Sequence, residues 1–331
     1  MRGICLFWLT ASVVCAATDP SLARLEQQIE LVSHATDGVV GVNALHIESG
    51  RSVAVRGAES FPMASSFKIP VAVQILSMVD EGKLTLDQMV PLAAPDLHPG
   101  SGKLTELFFH PGVSISIANL LELAIVISDN TAADILLREA GGPSAVTAKM
   151  RVIGLPNIRV DRSTALLISD WQGAKNLPPE SQWNREIWDK LYDAVPERDH
   201  LRARRAEMTD PRDTATPDEM TKLLLRVWRH EVLSPNSTQT LVDMMQRCET
   251  GKSRIKGMLP QGTNVAHKTG SLGGVANDIG FIWLPGDAGH VAISVFTKSS
   301  ARPEDASERA IAEIARTVYD YFVLVPGSSS R

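Results

Sequence analysis

One stretch sets the terms for any fold this chain adopts: Phe61-Pro-Met-Ala-Ser-Ser-Phe-Lys-Ile-Pro-Val-Ala-Val-Gln-Ile-Leu76. It opens with two hydroxyls and sets a lysine one helical turn later. It then runs through Ile69, Val71, Ala72, Val73, Ile75, Leu76, Met78 and Val79 with no polar stripe. A helix that is apolar all round has no face to offer water, so it must pass through the inside of a domain. Ser65 and Lys68, three residues apart, then lie on one face. Asp80-Glu-Gly82 supplies the stop, with Gly82 as a left-handed cap.

A serine at the start of a buried helix meets unpaired backbone N–H groups and the positive end of the helix dipole. Both favour the oxyanion formed when it attacks a carbonyl. A lysine removed from water has its ammonium form disfavoured and can accept a proton, which is the adjacent base a serine needs to become a nucleophile. The same residues also describe a helix cap followed by a chance lysine, since average composition gives S-x-x-K on the order of once in a chain of this length. Ser65 and Lys68 alone do not decide between the two.

At 331 residues the chain can bury a large core in one big domain or two intimate ones. The net charge of -5 gives no reason to expect nucleic acid as a partner. Residues 1–17 have the form of a secretory signal: Arg2 as the basic region, Ile4 to Val14 as the apolar run and Cys15-Ala-Ala17 as the small-residue cleavage site. That run is too short to span a membrane comfortably. A buried N-terminal helix is the alternative. Cys15 raises the question of lipid attachment, although Val14 is larger than the residue such a signal usually carries. The expectation is cleavage near Thr18 and a secreted or periplasmic chain with no membrane anchor. Cys248 is then the only cysteine left, so no intrachain disulfide can form. The histidines and cysteines show no metal-ligand spacing, and neither a metal nor another cofactor is expected.

Along the chain, Pro20 to Val32 has the spacing of an amphipathic helix, and Val39–Ile47 and Ser52–Arg56 form a hairpin across Glu48-Ser-Gly50. Helices follow at Ser116–Ile127, Thr131–Ala140, Pro217–Trp228 and Asn236–Cys248, and strands return at Asn264–Lys268, Asp278–Leu284 and His290–Thr297. A last amphipathic helix runs from Pro303 to Val325. Strands at both ends with helices between give an α/β (α+β) fold. An antiparallel sheet domain (18–58 and 247–331) is flanked by terminal helices, and an all-helical domain (59–246) is inserted into it. Within the insert, 163–211 stands apart, with Trp171, Trp183, Trp188, a Pro178-Pro179 break and the basic run Arg198 to Arg205. Gln182 to Tyr192 there has the pattern of a short helix packed on Trp183, Ile187, Trp188 and Leu191. A site in the cleft between the domains is the default expectation.

Two further motifs fall where such a cleft needs them. Ser128-Asp-Asn130 lies at a helix junction, and His267-Lys-Thr-Gly-Ser271 lies on a strand, where Lys268 and Gly270 share a face and the glycine admits close approach of a ligand. Lys268 offers positive charge, and Thr269 and Ser271 offer hydroxyls, a set suited to a carboxylate. Separately, Ser-Asp-Asn is often a helix cap and Lys-Thr-Gly a strand end.

Taken together in this order, S-x-x-K, S-D-N and K-T-G resemble the class A serine β-lactamases and their penicillin-binding relatives. The resemblance runs from about Leu22 to Phe322, apart from 163–211, and includes the Phe-Pro-Met lead-in, Arg212-Asp-Thr214 and Asn277-Asp-Ile279. It implies that Ser65 is the acylated nucleophile, Lys68 its proton partner and Ser128 the relay to the departing nitrogen. Asn130 would bind the substrate's side-chain amide. Lys268, Thr269 and Ser271 would hold the carboxylate beside Gly270, and the N–H groups of Ser65 and Ser271 would form the oxyanion hole. Arg254 matches an arginine that some members use for the carboxylate; an exposed surface arginine is the alternative. His267, pointing to the other face, is given no role.

The pattern breaks at one loop. Where the family carries Arg-x-Glu-x-x-Leu-Asn, with the glutamate activating the water that releases the acyl group, this chain has Asp161-Arg-Ser-Thr-Ala-Leu-Leu-Ile168. Thr164 and Ile168 stand in for the glutamate and asparagine, and neither can act as a base. Arg162 and Asp213 match the pair that closes the loop's neck, so the neck is kept while its contents are replaced and lengthened. Glu180, Glu186, Glu197 and Glu207 are the carboxylates in the insert available as substitutes. Three functions compete: a β-lactamase, conferring antibiotic resistance, with weak or atypical deacylation; a penicillin-binding D,D-peptidase acting on peptidoglycan stem peptides; and a non-catalytic peptidoglycan-binding module. Nothing demands more than a monomer.

Overall fold

The first and last parts of the chain build one sheet together. The computed structural model describes residues 19–97, 100, 102–110 and 112–325, so the expected secretory segment 1–17 lies outside the described residues. Asp19 accepts from the Ser21 N–H and Pro20 occupies the first turn, starting α1 (Pro20–Ser33). β1 (Val39–His46) and β2 (Ser52–Val55) form the expected hairpin, with Val42 opposite Val55 and Ala44 opposite Val53. After β3 (Phe61–Pro62), a single 3₁₀ turn at Ala64–Phe67 hands over to α2 (Lys68–Asp80). Gly82, at φ +69°, supplies the left-handed stop.

A small ribbon of β4 (Met89–Pro91) and β5 (Ser114–Ser116), separated by α3 (Lys103–Leu107), leads into α4 (Ile117–Val126), α5 (Asn130–Glu139) and α6 (Pro143–Val152). Ser116 and Asp129 cap α4 and α5 by accepting from the N–H groups of Asn119 and Ala132. These helices surround α2, whose Ile69, Val73, Ile75 and Leu76 are wholly sealed from solvent. Burying each such side chain is worth about 1.5–3 kcal/mol, which explains why this helix can do without a polar face.

The long insert folds as α7 (Thr164–Gln172), α8 (Arg185–Asp193) and α9 (Glu197–Glu207). Asn184 caps α8, so that helix begins three residues later than the apolar pattern suggests. Trp183 and Trp188 pack edge to face at 4.9 Å under it, against Ala165. The basic run of residues 198–205 is itself helical. It is mostly charged, with Leu201 its one large apolar residue, so no apolar periodicity announces it.

β6 (Thr214–Ala215) pairs with β3, α10 (Pro217–Trp228) lies on the sheet, and α11 (Pro235–Gln246) returns to the helices. The sheet is completed by β7 (Val265–Leu272), β8 (Val275–Trp283) and β9 (His290–Lys298), and α12 (Glu304–Leu324) ends the fold. The strand order is β2-β1-β9-β8-β7, antiparallel throughout. Alternate residues feed two cores. Val42, Ala44, Ile293 and Val295 meet Leu25, Ile29, Ile314 and Phe322 of the terminal helices. Ala292, Phe281 and Phe296 face the inserted helices. β7 runs past its expected end at Lys268 because Lys268 to Leu272 pair with Ile279 back to Val275. The motif therefore lies inside the ladder, at the sheet's edge.

Candidate active site

The backbone entering the nucleophile position is held from three sides. Asn277 Nδ2 donates to the carbonyls of Pro62 (2.8 Å) and Met63 (2.9 Å). The Met63 N–H donates to Asp213 O at 2.9 Å. Ala64, just before Ser65, sits at φ +44°, a conformation an alanine keeps only when its neighbours impose it. β7 packs directly on this turn: a Cβ at Gly270 would lie 2.4 Å from Met63 O and 3.1 Å from Ser65 N. Only glycine permits that approach. As a result Ser65 and Ser271 open onto one cavity of about 240 Å³, walled also by Asn130, Thr164, Ile168 and Trp171.

Two buried lysines converge on Ser128. Lys68 Nζ donates to Ser128 O (2.7 Å), Ser128 Oγ (3.2 Å) and Asn130 Oδ1 (2.8 Å). Lys268 Nζ donates to Ser128 Oγ (2.9 Å) and Thr269 O (2.8 Å). Ser128 adopts φ +61°, strain retained where its carbonyl and hydroxyl can both meet Lys68. Burial, followed by the charge of Lys268, holds the Lys68 ammonium well below the ordinary lysine range. Burial also brings Lys268 down to about 8. Two ammonium groups on one hydroxyl repel, so the pair favours a neutral Lys68 beside a more readily protonated Lys268.

Arg254 is buried, not a surface residue. It donates to Gly270 O (3.1 Å), Asn277 O (2.8 Å) and Ser271 Oγ (2.6 Å), and it pairs with Glu304 and Glu308. It therefore braces the strand edge and reaches the cavity through Ser271. The Thr269 hydroxyl is bonded to Thr250 Oγ1 at 2.6 Å and, like Lys68, Ser128 and Lys268, lies behind the residues that line the cavity.

The opposite wall is of another character. Thr164 Oγ1 donates to Asn130 O at 3.3 Å, and the N–H groups of Thr164 and Ala165 donate to Asp134. Leu167, Ile168 and Trp171 complete that side, and among the described residues no carboxylate lines the cavity. Each glutamate of the insert is engaged or exposed elsewhere. Glu186 pairs with Lys190, Glu197 is exposed, and Glu180 lines a separate hollow with Trp183. Glu207 is bonded to Arg162. The expected neck pair is thus a buried cluster, in which Arg162 meets Asp213 (2.6 Å), Glu207 (2.6 Å) and Asp170 (2.7 Å). Burial pushes the carboxyls of Glu207 and Asp213 up, against the pull of the guanidinium.

Sequence reasoning gave no role to three residues that build this site. Asn277 and Asp134 anchor its two walls. His267, passed over, is fully buried and bonded through Nδ1 to Asp278 at 2.9 Å, and its Nε2 has no hydrogen-bond partner. Burial would lower its pKa, but the Asp278 carboxylate overrides that and raises it to about 9. Burial would likewise raise Cys248, and its interaction with the neighbouring His267 side chain, helped by the charge of Lys268, brings it down to about 7. The available signal was Asn277-Asp278 inside an otherwise apolar strand, where a buried polar pair requires partners.

This arrangement has counterparts. Residues 24–322 match the model of the "Beta-lactamase enzyme family". The chain is 31% identical to beta-lactamase L2 of Stenotrophomonas maltophilia, over 93% of this chain and 86% of that one. Among solved structures, a beta-lactamase from Chitinophaga pinensis superposes with a TM-score of 0.75 at 28% identity, covering 90% of this chain and 98% of the other. An ancestral class A beta-lactamase does so with a TM-score of 0.72 at 34% identity, covering 89% and 99%. With the family match spanning both the sheet and the helices that meet at Ser65, the chain belongs to the class A serine β-lactamase family.

Proposed function

We propose that this protein opens β-lactam rings by acylating Ser65 and that it releases the acyl group slowly. The hydrogen-bonded array Lys68–Ser128–Lys268 beside Ser65 carries this reading. Neutral Lys68 takes the proton of the Ser65 hydroxyl as its oxygen bonds to the lactam carbonyl carbon. The N–H groups of Ser65 and Ser271 receive the oxyanion. When the ring C–N bond breaks, the Ser128 hydroxyl passes a proton to the departing nitrogen and is replenished from the lysines. Lys268 and Ser271, supported by Arg254, hold the substrate carboxylate, and Asn130 takes the side-chain amide.

Hydrolysis of the ester then needs a water relieved of a proton. The Thr164–Trp171 side of the cavity offers a committed hydroxyl and apolar groups instead of a carboxylate. A positioned base typically contributes about 10²–10⁴-fold, so its lack falls on deacylation alone. All these groups come from one polypeptide, which is consistent with a monomer. No helix among the described residues is long and apolar enough to cross a membrane. We assign the protein to the secreted or periplasmic compartment on the strength of residues 1–17. The Ser65→Ala variant tests the assignment: it should neither hydrolyse a chromogenic cephalosporin nor gain mass with a penicillin. Adduct formation by that variant would overturn Ser65 as nucleophile.

A further inference from the structure

The insert that replaces the usual loop contents builds a second hollow next to the Ser65 cavity. It has a volume of about 670 Å³ and is lined by Trp171, Leu201, Arg204, Arg205, Gly273 and Gly274, among others, with no carboxylate in its lining. The two spaces share a wall. Trp171 borders both, and the chain passes from Leu272, the end of β7, in the first to Gly273 in the second. A Cβ at Gly273 would lie 2.9 Å from the Trp171 ring, so strand end and indole meet there. The Arg204 guanidinium lies 4.4 Å over the Trp171 ring, and the Nε atoms of Arg204 and the indole are both buried without a hydrogen-bond partner. Arg205 is exposed at the rim, and neither arginine has an ion-pair partner among the described residues. Two cations facing a hollow free of carboxylates make a field for an anion. Guanidinium groups also suit a carboxylate geometrically.

We infer that this hollow is a subsite of the Ser65 cavity that receives the acyl side chain of the substrate and favours one ending in a carboxylate. The inference rests on acylation of Ser65. With the carbonyl carbon at Ser65 and the amide between Asn130 and β7, the side chain leaves across the Leu272–Gly273 end of the strand, over the Trp171 indole that divides the two spaces. Either a β-lactam with an acidic side chain or a stem peptide with an acidic residue would present this chemistry.

The test uses a matched pair, a penicillin with an adipoyl side chain and the methyl ester of that side chain, with adduct formation followed by intact-protein mass below saturation. The acid should acylate about tenfold faster than the ester, a factor suited to a partly exposed charge-assisted contact. That ratio should fall toward one in Arg204→Gln/Arg205→Gln and drop partway in Arg205→Gln, whose exposed side chain leaves packing intact. Raising salt from about 50 mM to about 500 mM should shrink the ratio in the unmodified protein. The same adipoyl pair carried on D-Ala-D-Ala identifies the source: preference in either series supports the subsite, and the series that shows it names the substrate class. A ratio near one in the unmodified protein, or one unchanged in the double variant, would overturn the inference. Failure of both penicillins either to form an adduct or to be consumed would overturn acylation itself and this subsite with it.

Discussion

The wall of the cavity that carries Ser65 and the wall facing it from α7 follow opposite rules. On the first, charged and polar groups are buried at high density, and hydrogen bonds hold Lys68, Ser128, Asn130, Lys268 and Arg254 to one another or to backbone carbonyls. On the second, the hydroxyl of Thr164 is turned to a backbone carbonyl and the rest is Leu167, Ile168 and Trp171. In the two-step acyl transfer proposed above, the first wall forms the ester, and the second would have to activate water to break it. The difference teaches that the two half-reactions are built separately, so one can be kept while the other is let go.

Four substitutions break or sharpen that contrast. The largest effect should come from Lys68→Ala, which removes the base from the polar wall. Acylation measured by stopped-flow should slow by about 10²–10⁴-fold, while the fraction eventually acylated stays complete. An unchanged rate would move the base elsewhere. Next, Arg162→Ala should lower stability by about 3–5 kcal/mol in urea denaturation, because Asp213 and Glu207 would be left as uncompensated buried carboxylates. A loss below about 1 kcal/mol, the size of an exposed pair, would mean the clasp is not buried in solution.

Thr164→Glu puts a carboxylate on the apolar wall. With Asp134 still holding the backbone there, decay of the acyl-enzyme should quicken by about 10²-fold, the lower end expected of a general base. No acceleration would mean that this position does not face the acyl carbonyl.

The smallest effect concerns pH. His267 is raised from 6.5 to about 9 by Asp278, so its contribution is full below pH 6.5 and is lost as pH rises through 9. Cys248 is lowered from 9.0 to about 7, so its contribution is present above pH 9 and lost as pH falls through 7. The two oppose each other in the intact protein. In Cys248→Ala only the histidine remains, and stability should fall from pH 6.5 to 9 by about 1–3 kcal/mol more than in the parent. Parallel stability curves would contradict the pairing.

Much of this was legible in the chain. Ser65, Lys68, Ser128, Asn130, Lys268 and Ser271 stand in short runs whose spacing survives folding, and α2 declares itself by lacking a polar face. What stayed hidden depends on partners far apart in sequence. Arg254 reads equally as a carboxylate-binding arginine or a surface one until Asn277 and Gly270 are brought to it by β7 and β8. Glu207 reads as a free carboxylate until the neck returns it to Arg162. α9 went unread because its charged surface offers no periodicity, although it is the helix that supplies Arg204 and Arg205 to the second hollow.

One mixing experiment bears most directly on the proposal that the site keeps its acylating half and lacks its water-activating half. The protein is combined with a modest excess of benzylpenicillin, and its intact mass is followed from the first seconds onward. The account predicts that nearly all molecules gain one penicillin quickly and lose it far more slowly, with the adduct dominating at steady state. Rapid consumption of the penicillin with no adduct accumulating would contradict it, since release would then outpace acylation and a base would have to be at work in the cavity.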